Sequence, residues 1–361
     1  MRHKYNHAMF LTFRYRVKGT SAAKRLGTMA IAVNQVWNYC GGIQNDSRRL
    51  NKRRPGFPEL CRLIAGSTKG LGIHSDTLQD VARHWCASRD KVRHRPRWRV
   101  SFGAKRSLGW VPFQCARPLK VSGDTVTFLG RKYRLWLSRP IPADIRSGSF
   151  SQDADGRWYL NLVCEVADDL PAGTGEVGID LGLKEFAALS TGEKVENPRH
   201  LRKSAAKLAR AQRAGRKRLA RKIHRKVAAQ RRHFLHETST RIVGGNALIC
   251  VGDVNSAALA RTKMAKSVLD AGWTAFRSML QYKTAMRPGA RFVETNKRYS
   301  TQTCSCCGSR GGAPRGVKGL RVRSWVCDGC GVLHDRDTNA ALNILRSGRN
   351  AALQTTEIPG L

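Results

Sequence analysis

Residues 177–182 read VGIDLG, an apolar run broken by one carboxylate, Asp180, and closed by Gly182. The β-branched residues and the PAGTG segment just upstream, at 171–175, predict a short buried strand that begins after a domain boundary. A carboxylate in such a strand needs a partner, and Gly182 lets a ligand or another backbone come close. Downstream, the hairpin-like FAALSTGEKV (186–195) is followed by one long basic helix (199–232) and the strand NALICVGD (246–253). A helix SVLDAGWTAFRSMLQYKTAM (267–286), a strand RFVETN (291–296), a cysteine-rich insert and a helix DTNAALNILRSG (337–348) complete the pattern. Strands interleaved with helices predict an α/β sheet.

The upstream part has a different character. Residues 1 to 17 alternate as a strand, TSAAKRLGTMAIAVNQVWNYC (20–40) turns to helical spacing, and SDTLQDVARHWCASRDKVRHRP (75–96) runs from a helix start to a proline stop. Between 97 and 170, RWRVSFGAKR, LKVSGDTVTFLG, YRLWLS and RSGSFSQDADGRWYLNLVCEV are β-rich runs cut by Gly, Asp and Pro, as in a barrel or sandwich. The first strand is expected to pair with these, which makes the helices an insertion. Trp37 and Trp85 in those helices are assigned to the core.

Composition narrows the function. The 361 residues suffice for two or three units, and 41% hydrophobic content builds real cores. Lys and Arg number 66 against 25 Asp and Glu, a net charge of +41 that calls for a polyanion, with nucleic acid first. No apolar run approaches the about 18 residues of a membrane span, so no membrane partner is expected. The N-terminus MRHKYNHAMFLTFRYRV lacks the features of a signal peptide, so a cytoplasmic, nucleoid-associated, bacterial-type localisation is expected.

Seven of the eleven cysteines are scattered, and four form CSCC (Cys304, Cys307) and CDGC (Cys327, Cys330). Two C-x-x-C knuckles supply the tetrahedral thiolate set of a structural Zn2+, and the 19 residues between them suit a zinc ribbon. Cys306 is too close to Cys304 for the usual turn and is read as a bystander. The segment 199–232 holds 15 Lys and Arg and no acid, so no opposite charge damps their repulsion. Phosphate contacts are assigned to Arg216, Lys217, Arg218, Arg221, Lys222, Arg225, Arg231 and Arg232. In HDRDTNAALNIL (334–345), Asp335 or Asp337 opens a helix whose Ala340, Ala341 and Ile344 allow flat packing.

GIDLG, the basic helix ending RRHFLHETSTRIV, ALICVGDVN, TQTCSCCG, CDGCG and DRDTNAALNIL, in this order, resemble the TnpB family of transposon-encoded RNA-guided nucleases, relatives of type V CRISPR effectors. The resemblance runs from about residue 97 to 346. It implies a multidomain protein: an α/β RNase H-like (RuvC) nuclease domain with a zinc-ribbon insert, and an N-terminal wedge-like β-barrel with a helical recognition insertion. The corresponding limits are 1–17 and 97–170 (wedge-like), 18–96 (helical recognition lobe), 171–298 and 335–361 (RuvC-like), and 299–334 (zinc ribbon). The implied partners are a guide RNA and a target double-stranded DNA with a short adjacent motif.

In that family three carboxylates hold two Mg2+ ions that activate water and stabilise the leaving oxygen. Asp180 matches the first position and Asp337 the third. The second should be a Glu at the end of ALICV, and residue 252 is Gly. In rearranged relatives that Glu ends the next strand, where this chain has Lys297. Glu294 lies on the opposite strand face by parity and could serve only through a bulge, and Asp253 points away from position 252. The reading that follows is an RNA-guided DNA-binding protein, repressor-like, with cleavage lost or impaired. The alternative is an active endonuclease with a rearranged carboxylate set that recruits Glu294 or Asp253. A zinc-ribbon DNA binder without RNA explains neither GIDLG nor DRDTNAALNIL.

Overall fold

The computed structural model describes residues 9–91, 96–114, 119–166, 170–254, 259, 261–262, 264–314, 319 and 321–354. The chain divides into two compact units, Met1–Val166 and Ala167–Leu361.

In the first unit, β1 (Met9–Val17) leads into α1 (Thr20–Arg49), α2 (Phe57–Ile64), α3 (Thr68–Leu71) and α4 (Ser75–Lys91). Six strands follow: β2 (Trp110–Phe113), β3 (Leu119–Ser122), β4 (Thr125–Phe128), β5 (Arg131–Trp136), β6 (Ile145–Gln152) and β7 (Trp158–Val166). They form a seven-stranded sheet ordered β2-β6-β7-β1-β5-β4-β3. β1 lies between β7 and β5, antiparallel to both. Strict alternation along β7 buries Trp158, Leu160, Leu162 and Cys164 on one face. Phe113, Phe128 and Phe150 pack with Tyr133 at centroid separations of 5.2–6.2 Å, near the optimum for tilted aromatic pairs. Trp37 and Trp85 are buried. Residues 97–106 are not a strand as their alternation suggested, because the backbone there is held by side chains of α1 instead of by a ladder.

The second unit is built on a five-stranded sheet ordered β10-β9-β8-β11-β12. Its strands are β8 (Gly175–Leu181), β9 (Glu185–Leu189), β10 (Lys194–Glu196), β11 (Asn246–Gly252) and β12 (Arg291–Thr295). β8, β9 and β10 pair antiparallel, whereas β11 is parallel to both β8 and β12. Val177 and Ile179 of β8 and Ile249 and Val251 of β11 pack on one face with α6 (Lys217–Gly245) and α8 (Trp273–Ala285). Leu248 and Cys250 pack on the other with α9 (Arg336–Gln354). A Cβ on Gly178 would stand 2.0 Å from the Ala341 carbonyl oxygen, and one on Gly348 2.1 Å from Cys250 Sγ. Two glycines therefore let α9 lie against the sheet with backbone in contact.

The segment 199–232 is not a single helix. It folds back as α5 (His200–Arg213) and α6, joined at Gly215, whose φ is 63°. A lone helix would leave its apolar stripe in water, whereas the hairpin buries Leu208, Ala211 and Ile223 against one another. The expected helix at 267–286 is likewise split at Gly272 (φ 71°) into α7 (Ala265–Ala271) and α8. No helix among the described residues is long and apolar enough to cross a membrane.

Gly178→Ala should cost about 1–3 kcal/mol, because the methyl must push α9 off the sheet. Scanning calorimetry should show a lower midpoint for the second unit. Gly244→Ala, where the new methyl meets nothing within 4 Å, should be neutral or stabilising. Equal midpoints for the two variants would contradict the close approach.

Candidate functional site

The two knuckles are copies of one turn. In the first, Cys304 N donates to Ser309 O (2.8 Å) and Gly308 N to Cys304 O (2.9 Å). In the second, Cys327 N donates to Val332 O (3.0 Å) and Gly331 N to Cys327 O (2.8 Å). The turns bring the four Sγ atoms within 4.8 Å of one another, with Cys304–Cys330 and Cys307–Cys327 both at 3.6 Å. Tetrahedral Zn–S bonds of about 2.3 Å imply Sγ separations of about 3.8 Å, so the residues fit a structural zinc. Cys306 is exposed and outside the cluster. Burial opposes the Cys304 thiolate, yet hydrogen bonds from the Cys307 and Cys306 amides, His334 and Cys330 bring its pKa down to about 5.

Three residues that sequence reasoning missed hold this insert. His334 Nε2 lies 2.9 Å from Cys304 Sγ, and its ring packs on Trp325 at 4.7 Å. Asn339 and Asn343, one turn apart on α9, donate to Thr303 O at 2.8 and 2.6 Å, and Asn339 Oδ1 accepts from Ser305 N at 2.8 Å. The i, i+4 asparagine pair in TNAALN, polar on a helix otherwise packed flat, was the available signal.

The second centre lies where β8, β11 and β12 end. Asp180 leaves β8 on the α9 face, and Asp335 Oδ1 accepts from Thr338 N (2.9 Å), capping α9 so that Asp337 sits in its first turn. Between them is a cavity of about 450 Å³. Among the described residues its charged lining comprises Asp180, Glu185 and Asp337 against Lys184, Lys297, Arg323 and Arg336, four cations to three carboxylates. Lys297 Nζ is 3.6 Å from Asp180 Oδ1. That oxygen is buried without a hydrogen bond, so the contact is ionic only. Burial pushes the Asp180 pKa up, the Lys297 charge opposes this and Asp337 adds to it. Asp337 accepts from Arg323 Nη1 at 3.1 Å and from Arg336 Nη2 at 3.0 Å.

A Cβ on Gly252 would meet Ile344 Cδ1 at 2.8 Å and the Lys297 stem at 3.2 and 3.3 Å. The lysine thus fills the space in front of Gly252 on its way to Asp180. Asp253 Oδ1 accepts from Lys297 N (2.9 Å) and its own N donates to Thr295 O (2.8 Å), fixing the base of the lysine. Glu294 pairs in register with Val251, on the sheet face away from α9, and its carboxylate lies 3.5 Å from Arg277. No bulge turns it inward, so it does not join Asp180 and Asp337. A pair of Mg2+ ions requires converging carboxylates with open approach. Cations occupy the approach to both aspartates, so the residues as placed do not fit that pair.

On the helical hairpin, Arg216, Lys217, Arg218, Arg221, Lys222 and Arg232 are exposed and Arg225 is half-buried. Arg231 departs from the assignment: its Nη1 donates to Leu269 O (3.1 Å) and lies 3.6 Å from Asp270, tying α6 to α7.

Residues 161–263 match the family model described as "Probable transposase" (OrfB, IS605), and residues 273–344 match the "Cas12f1-like, TNB domain". Asp180 and Gly252 fall in the first match; Lys297, Asp337 and all four knuckle cysteines fall in the second. Over these two stretches the chain is similar to the TnpB/IS605 transposases and to the Cas12f1-like TNB domain. It is 41% identical over 232 residues to a "Putative RNA-guided DNA endonuclease" of Streptomyces pristinaespiralis, covering 60% of this chain and 56% of that protein. Over 241 residues it is 27% identical to the "Putative RNA-guided DNA endonuclease InsQ" of Escherichia coli K12, covering 58% of each. The chain thus spans about half the length of these curated relatives. It is also similar to a Cas12f1–sgRNA–target DNA complex, with a TM-score of 0.36 and 13% identity over 93% of this chain and 99% of that one, too loose a likeness to place any residue.

Metal analysis of the purified protein should find one zinc per chain, absent from Cys327→Ala and unchanged in Cys306→Ala. His334→Ala should weaken zinc in chelator competition by about 10- to 100-fold. Equal zinc content in parent and Cys327→Ala would refute the assignment.

Proposed function

We propose that the protein is an RNA-guided DNA-binding protein, dependent on a short motif beside its target, that has lost cleavage and acts by occupying its site. The observation that carries this reading is Lys297, seated over Gly252 with its ammonium beside Asp180. A lysine there repels divalent ions and supplies the positive charge they would bring, and Arg323 and Arg336 do the same at Asp337. The cleft that results suits a phosphodiester held in place without being cut.

The antiparallel β10-β9-β8 ladder, the parallel β11 and β12, and α9 laid across them support an RNase H-like, RuvC-type unit over 171–298 and 335–361, with the zinc ribbon at 299–334. We assign 1–17 and 97–170 to the wedge-like domain and 18–96 to the recognition lobe. The exposed cations of the α5–α6 hairpin are the proposed guide RNA contacts. The relatives' printed names, RNA-guided DNA endonucleases, support RNA and target DNA as the partners.

Neutralising Arg216, Lys217, Arg218 and Lys222 together should weaken RNA binding and flatten the plot of log affinity against log salt by about 0.7–0.9 for each phosphate that is no longer neutralised. An unchanged slope would show that the hairpin only faces solvent.

With its copurified RNA sequenced and a matched duplex supplied, the parent should bind tightly and leave the DNA intact in magnesium. Lys297→Glu should raise cleavage. Gly252→Glu should do so only when combined with Lys297→Ser, since the lysine stem occupies the glutamate's space. Robust cutting by the parent that disappears on Asp180→Ala would establish an active endonuclease with a rearranged carboxylate set.

A further inference from the structure

Residues 97–106, RWRVSFGAKR, hold two aromatic side chains in water: Trp98 is 56% exposed and Phe102 71% exposed. Their loop is nevertheless fixed. Trp37 Nε1 donates to Arg97 O (3.0 Å), and the Asn38 side chain both donates to Arg99 O and accepts from Arg99 N, each at 2.8 Å. Asn34 Nδ2 reaches Ser101 Oγ at 3.2 Å. Ser107 closes the neck, its N donating to Val100 O (2.7 Å) and its Oγ accepting from Val100 N (3.0 Å). Beyond that neck, Gly103 at φ 80° turns the tip that carries Phe102.

A loop ordered this thoroughly has already lost the conformational entropy that binding would otherwise cost. Leaving a Phe side chain in water forgoes about 1.5–3 kcal/mol of burial unless a partner covers it. The Trp98 ring rests against α1 at Gly41, where a Cβ would stand 3.5 Å from it, and more than half of the side chain stays open. Arg97 and Lys105, both exposed, flank the two aromatics in sequence on the same short loop. Aromatic faces beside cations are how unpaired nucleotides are held, bases stacking while phosphates meet the charges. The bases of a duplex are already stacked, whereas RNA offers unpaired ones in loops and at ends.

We propose that Trp98 and Phe102 form a stacking platform for unpaired bases of RNA, with Arg97 and Lys105 on the adjoining phosphates. The platform lies wholly within the unit Met1–Val166 and stands or falls separately from the cleavage reading. The test uses the purified protein, stripped of copurifying nucleic acid at high salt, and a labelled single-stranded oligouridylate, titrated at several salt concentrations. Phe102→Ala should lower affinity by about 5- to 100-fold with the salt slope unchanged, because stacking releases no counterions. Phe102→Trp should retain parental affinity, and Phe102→Leu should lose as much as the alanine variant. Arg97→Gln with Lys105→Gln should instead flatten the slope. Phe102 is so exposed that its substitution leaves folding intact, which thermal melts verify. Phe102→Ala within twofold of the parent would overturn the proposal. So would full affinity in Phe102→Leu, which would mark a generic apolar surface, or an equal loss on duplex RNA of the same length.

Discussion

The backbone contact between α9 and the five-stranded sheet is the constraint on which the second unit depends. Ala341 O stands where a side chain at position 178 would be, and Gly348 lies against Cys250. At that distance the start of α9 falls beside the end of β8, so Asp337 and Asp180 line one cavity although 157 positions separate them (337 − 180). The same helix presents Asn339 and Asn343 to Thr303, which seats the first knuckle on its flank. Moving α9 outward by the width of one methyl would loosen the cleft and the insert together.

Within that frame, three neighbouring residues decide the character of the cleft. Gly252 leaves a gap, Lys297 fills it, and Asp253 accepts the Lys297 amide so that the lysine starts from a fixed point. The ammonium then reaches a buried carboxylate oxygen that has no other partner. An unpaired buried charge is costly, so the half-buried lysine offsets the cost of burying the Asp180 carboxylate. Removing the lysine alone would leave burial and the like charge of Asp337 to push the Asp180 pKa further up, which favours protonation of Asp180.

The charge of the chain is distributed by the same logic of partners. Arg231 and Arg277 are drawn to Asp270 and Glu294, Arg323 and Arg336 to Asp337, and these act as structural clamps. What remains exposed on the hairpin turn, Arg216, Lys217 and Arg218, has no acidic neighbour in sequence to neutralise it. The excess of cations over acids thus becomes a surface property of a few places, and the proposed RNA contacts are drawn from them.

Much of this was legible in the chain by itself. The strand around Asp180, the helix opened at 335–337 and the paired C-x-x-C knuckles follow from local rules: alternation, capping, and the geometry of a turn that needs two thiolates three residues apart. The absence of a carboxylate at 252 was equally plain, since identity is all it requires. What lay beyond the sequence were the outcomes of packing. The basic stretch folds back at Gly215 because burying Leu208 against Ile223 outweighs keeping one continuous helix. RWRVSFGAKR has the alternation of a strand but meets Asn34 and Asn38 where a ladder would be. The reach of Lys297 to Asp180, and the seat of Glu294 on the far face beside Arg277, depend on which strands become neighbours and in what register. Local pattern fixes what each segment is able to form, and only the tertiary contacts decide which side chains share a site, because that choice turns on distances between residues far apart along the chain.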